Sequence, residues 1–138
     1  AGIGAAIVDL SPVNSQGVLS SAYIRALANL PAIDFSQPRA LPAWGNIFSG
    51  FCLFVHPHNA EEEKFFLERV QQYLAVHCKI ALATSALTSK LEQAQVLSRQ
   101  RHYCAQQQQN DKTRRVLEKS LGETWTERYM SQMLFDCP

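Results

Sequence analysis

The run Tyr103-Cys-Ala-Gln-Gln-Gln-Gln-Asn-Asp-Lys-Thr-Arg-Arg115 carries a phenol, planar amides, a carboxylate and three cations in a short span. Together these groups can hydrogen-bond a large anionic ligand, although the same composition also suits a solvated helix face. Lys112, Arg115 and Lys119 recur at helical spacing, so they form an electropositive stripe on which an acidic protein can dock. Arg39 lies in a proline-rich stretch near Trp44 and Phe48. A guanidinium beside aromatic surface suits a planar molecule with carboxylates, and its plainer reading is a surface arginine.

Other reactive side chains have duller explanations. His56 and His58 stand two apart, as a strand-borne metal site requires, but Pro57 separates them and no Cys, Asp or Glu stands at a supporting short spacing. We read them as strand-end histidines and expect no metal. Glu61, Glu62 and Glu63 fall where the first turn of a helix favours carboxylates, which accounts for them without acid/base chemistry. No nucleophile-elbow motif accompanies the serines and histidines. Cys52, Cys78, Cys104 and Cys137 are widely spaced with no C-x-x-C pair, and they read as reduced, buried side chains of a cytosolic protein.

The elements that must position these residues follow from periodicity and punctuation. Gly4 to Leu10 is short, apolar and closed by Ser11-Pro12, a buried strand. Ser20 or Ser21 caps a short helix bearing Tyr23, Ala26, Leu27 and Leu30, which Pro31 ends. Prolines and glycines break up residues 32 to 50, a long loop of the kind that usually has a function. Phe51 to His56 is apolar on both alternating faces and predicts a central strand covered on two sides. Asn59 and Glu62 form a capping box for a helix with Phe66, Val70, Tyr73, Leu74 and His77 on one face. After a Ser/Thr-rich joint at Thr84 to Ser89, a polar helical segment runs from Lys90 to Lys119 with a break or new cap at Asn110-Asp111. Gly122 ends it, and Thr124 with Glu127 opens a last helix carrying Trp125, Tyr129, Met133 and Leu134.

A chain of 138 residues suits one folding unit, and no apolar run approaches the roughly 20 residues of a membrane span. Net charge is +1, so any electrostatic partner must recognise a local patch. Two strands against four or five helices make an incomplete sheet. With the abrupt apolar start at Ala1, this suggests that preceding strands have been removed.

The stretches AAIVDLSP, FSQPRALPAWGNIFSGFCLFVHP and YCAQQQQNDKTRRVLEKSLGETWTERYM, with the terminal LFD, resemble the ferredoxin-dependent bilin reductases across essentially the whole chain. The resemblance implies a three-layer α/β/α sandwich with an antiparallel sheet. In this chain, residues 1–138, that means an incomplete sheet with mostly the C-terminal helices of a single domain. It further implies reduction of biliverdin IXα to phycocyanobilin by single electrons from ferredoxin, through bilin radicals, with no bound metal or flavin. The pigment lies between the sheet and the C-terminal helices.

Arg39 and Lys112 match the basic residues that face the pigment's propionates, Asn110 and Asp111 fall in the matching pocket segment, and Gln107 and Tyr103 stand on the same wall. The stripe of Lys112, Arg115 and Lys119 becomes the ferredoxin-docking surface. Gly4 occupies a position where the family commonly has a propionate-binding serine. The family's proton-donating aspartate and its partner histidine lie on strands before this chain's first residue, so no catalytic residue is assigned, and His56, His58, His77 and His102 do not match the motif. A noncatalytic bilin-binding or interaction module is the alternative from another class. Nucleic-acid binding around Arg99 to Lys119 lacks the interleaved aromatics it would need.

Overall fold

A computed structural model describes residues 2 to 136. The structure divides into two compact units, one of residues 1–12 and 16–87, the other of residues 13–15 and 88–138.

In the first unit, strands β1 (Ala6–Val8) and β2 (Leu53–Val55) pair antiparallel, with Ala6 opposite Val55, Ile7 opposite Phe54 and Val8 opposite Leu53. Side chains alternate along each strand, so Ala6, Val8, Leu53 and Val55 fall on one face. That face packs on Phe66 and Val70 of helix α2 (Ala60–Ala83), with Val55 only 1% exposed. The other face carries Phe54 and Ile7, and Ile7 is 46% exposed. The sequence predicted a strand covered on both sides; here only the Val55 face is buried. Helix α1 (Ser21–Ala28) packs on α2 through Leu27 and a Tyr23 hydroxyl to His77 Nδ1 contact of 3.0 Å. Ser20 occupies the cap position of α1 without a side-chain bond, and Leu30 lies past the helix end.

The α2 start departs from a reciprocal capping box. Asn59 Oδ1 accepts the Glu62 N–H at 2.9 Å, as the spacing predicts. The Glu62 carboxylate, however, accepts the backbone N–H groups of His58 at 2.8 Å and Ser36 at 2.9 Å, tying the long loop to the helix. These two bonds hold its carboxyl below the ordinary value of 4.5, the His58 N–H contributing most. Glu62 therefore adds stability in full above that value, and the contribution is lost as pH falls through the lowered one. Glu62→Gln is expected to melt earlier than the wild-type chain at neutral pH, with the gap closing in acid when thermal unfolding is followed by circular dichroism. A gap that stays constant with pH would contradict the assignment.

The predicted α2 stripe is corrected at Leu74, which is 59% exposed, whereas Phe66 and Tyr73 are buried. Tyr73 donates its hydroxyl to the Phe51 carbonyl at 2.6 Å, and burial pushes its pKa up.

The second unit is helical: α3 (Lys90–Gln107), α4 (Asp111–Leu121), α5 (Glu123–Arg128) and a π-helical turn (Tyr129–Leu134). Ser89 caps α3 through the Glu92 N–H, and Asn110 caps α4 through the Thr113 N–H at 3.1 Å. Gly122, at φ 85°, turns the chain directly from α4 into α5. That turn removes the predicted Thr124–Glu127 capping box: α5 starts at Glu123 without a side-chain cap, and Glu127 pairs with Arg114 instead. The inward residues are also one position on from those predicted. Thr126 and Met130 are fully buried, while Trp125 is 46% and Met133 74% exposed.

Candidate functional site

The open face of the small sheet extends beyond β1 and β2. Pro38 forms an antiparallel bridge with Val55, flanked by Arg39 N–H to Phe54 carbonyl and His56 N–H to Gln37 carbonyl bonds, both 2.9 Å. Pro38 thus occupies the one register position whose N–H has no partner to reach, where proline costs nothing. Alternation then turns Gln37 and Arg39 to the same side as Phe54 and His56, away from α2. The Arg39 guanidinium lies over the Phe54 ring, 5.4 Å from its centroid, and donates from Nη1 to the Gly4 carbonyl at 2.9 Å. A planar fork held over an aromatic ring keeps further N–H donors for a carboxylate. Arg39 also borders a cavity of about 270 Å³ with Ile33, Asp34, Phe35, Cys52 and Leu53.

The Cys52 thiol is pushed up to about 12, first by burial and then by the Asp9 carboxylate. It is chemically quiet. Asp9 itself accepts from Ser49 N–H at 3.0 Å, Ser49 Oγ at 2.5 Å and Ser11 Oγ at 2.7 Å, fastening the end of β1 to the turn before β2. Of the cysteines expected to be buried, Cys52 and Cys104 are half-buried, Cys78 is exposed on α2, and Cys137 lies outside the described residues.

The other candidate ligand-binding residues stand in the second unit. Gln107, 8% exposed, donates its amide to the Tyr103 hydroxyl at 2.9 Å, so these two form one polar pair at the end of α3. Asn110 spends its side-chain oxygen on the α4 cap. Asp111 and Lys112, the first residues of α4, are exposed. Lys112, Arg115 and Lys119 all are exposed along one side of α4, with Val116 among them at 66% exposure. Arg114 points the other way, to Glu127. No group of three or more His, Cys, Asp or Glu side chains able to hold a metal occurs among the described residues. No helix among them is long and apolar enough to cross a membrane.

Sequence reasoning missed Gln37, Phe54 and Asp9. The alternation of Phe54 and His56 was a usable signal, but their partners at 37 and 39 follow from a pairing that only folding creates.

The sequence profile described as "Ferredoxin-dependent bilin reductase" matches residues 1–136. A phycocyanobilin:ferredoxin oxidoreductase of Synechococcus sp. is 54% identical over 136 residues, covering 99% of this chain and 55% of the relative. The proteins of the same name from Synechococcus elongatus and Trichodesmium erythraeum are 54% and 48% identical over the same share. The chain spans about half the length of the curated relatives it matches. With the profile matched almost end to end, the chain belongs to the ferredoxin-dependent bilin reductase family.

Proposed function

We propose that the chain takes part in the reduction of biliverdin IXα to phycocyanobilin with electrons from reduced ferredoxin, a cytoplasmic reaction needing no bound metal or flavin. The carrying observation is the 54% identity, across 99% of the chain, to proteins named phycocyanobilin:ferredoxin oxidoreductase. The proposed fold is the family's three-layer α/β/α sandwich, with residues 1–138 as part of one domain.

In this reading Arg39 and Lys112 each hold a propionate, while Asn110, Asp111, Gln107 and Tyr103 offer polar contacts to the pigment. The Arg39–Phe54 face supports it, because a cation stacked on an aromatic ring presents both charge and flat apolar surface. No residue of this chain is assigned as the catalytic acid. Its contribution is to hold and orient the pigment, while each electron accepted must be matched by a proton delivered at the right atom.

Lys112, Arg115 and Lys119 are the proposed ferredoxin-docking stripe, and their exposure gives the test. Association with reduced ferredoxin is expected to weaken steeply between low and physiological salt, whereas biliverdin binding, followed by visible absorbance, changes much less. Replacing Arg115 and Lys119 by Ala should flatten the ferredoxin slope and leave the pigment slope. Equal slopes for both ligands would remove the separate docking role. Turnover with reduced ferredoxin, measured on a protein in which these residues are joined to the family's aspartate and histidine, separates this reading from a noncatalytic bilin-binding module.

A further inference from the structure

Beyond Arg39 and Phe54, the open sheet face ends in three side chains that no part of the reading above uses. Gln37 lies directly across from His56 in the bridge that pairs Pro38 with Val55, so both side chains point to the same side as Arg39. The Gln37 carboxamide touches two imidazoles at once: Oε1 lies 2.9 Å from His56 Nδ1, and Nε2 lies 3.2 Å from His58 Nδ1. Pro57, between them, is buried, which keeps His56 and His58 on fixed backbone. His58 is held again by its own N–H to Glu62 Oε2 at 2.8 Å.

A carboxamide has one end that accepts hydrogen bonds and one that donates them. As oriented, His56 donates from Nδ1–H to Gln37 Oε1, while Gln37 Nε2 donates to a bare Nδ1 of His58. Rotating the amide by half a turn would exchange the two roles, but it would not make them equal. Whichever way the amide lies, two neutral imidazoles bound to its opposite ends carry their protons on different nitrogens. The outward Nε2 atoms are then one lone pair and one N–H.

We propose that Gln37 locks His56 and His58 in opposite tautomers, so that this end of the face recognises a lactam or amide edge, one donor beside one acceptor, on the planar ligand held by Arg39. His56 and His58 are then further ligand-binding residues and Gln37 is their positioning residue. The inference rests on the proposed bilin-binding role, since a bilin's terminal rings are lactams with adjacent N–H and C=O groups. It also separates the pair from a metal site: two Nε2-ligating imidazoles both need an acceptor for Nδ1–H, and a single carboxamide supplies one.

Long-range proton–nitrogen correlation spectra of the 138-residue chain read the tautomers directly. One ring of the pair is expected in each form, and both sets of ring nitrogens should shift on addition of biliverdin. Gln37→Glu offers acceptors to both rings, so both should move to the Nδ1–H form, with biliverdin affinity reduced about three- to ten-fold. His56→Ala should lose a similar factor. Identical tautomers in the wild-type chain would overturn the proposal without any variant. So would wild-type affinity in Gln37→Glu and His56→Ala when Arg39→Ala binds weakly, and in that case the bilin-binding reading survives. If the wild-type chain itself binds no biliverdin, the bilin-binding reading falls, and this inference with it.

Discussion

Arg39→Ala is expected to bind biliverdin roughly ten- to a hundred-fold more weakly than the wild-type chain, the loss of one charge-assisted contact of about 1.5–3 kcal/mol. The guanidinium is already oriented in the free protein by the Phe54 ring and the Gly4 carbonyl, so little side-chain freedom remains to be lost on binding. Arg39→Lys should recover only part of the affinity, because an ammonium cannot keep one donor on the Gly4 carbonyl and present a planar fork to a carboxylate. Lys112→Ala should show a loss of the same order, with Lys112→Arg a partial rescue. Gly4 supplies the converse test. A Cβ built there meets nothing within 4 Å, so Gly4→Ser adds a hydroxyl beside Arg39 without steric cost and should tighten binding by a few-fold. Absorbance titrations with biliverdin measure all of these. Unchanged affinity in both alanine variants would refute the propionate assignment.

Asp9→Ala is expected to be among the most damaging single substitutions in the first unit, with a loss of about 3 kcal/mol in unfolding free energy. The carboxylate accepts three hydrogen bonds, two of them from Ser49, which is 8% exposed. Removing it strands the Ser49 N–H and frees the Ser49 hydroxyl, whose oxygen in turn accepts the Phe51 N–H at 3.0 Å. The turn that delivers β2 loses its anchor to β1, and the alignment of Phe54 and Arg39 goes with it. Tyr73→Phe removes only the bond to the Phe51 carbonyl and should cost about 1 kcal/mol, a calibration on the same segment. Denaturant unfolding compares the two directly. A loss for Asp9→Ala no larger than that for Tyr73→Phe would show that the three bonds at Asp9 do not hold the turn.

Several local features were legible in the sequence because their physics spans three or four residues. Asn59 and Asn110 cap helices because an amide oxygen reaches the N–H three residues on, and Gly122 breaks the helix because it tolerates a positive φ. The break between α3 and α4 at Asn110-Asp111 follows from the same chemistry. Family membership was legible for a different reason: particular words such as NDKTRRVLEK persist along the chain.

Tertiary structure decided whatever depends on partners far apart in the chain. Glu62 had the spacing to close a capping box on Asn59, yet its carboxylate finds Ser36, 26 residues away, because two backbone N–H groups of a folded loop satisfy it better than one. Trp125 with Tyr129 and Thr126 with Met130 are equally good helical stripes in sequence. The ion pair between Arg114 and Glu127 and the packing of α5 on α4 turn the second pair inward. Gln37 contacts His56 across 19 residues and Ser49 bonds Asp9 across 40. Such bonds exist only once loop closure has brought their ends together, and no local periodicity encodes which ends will meet.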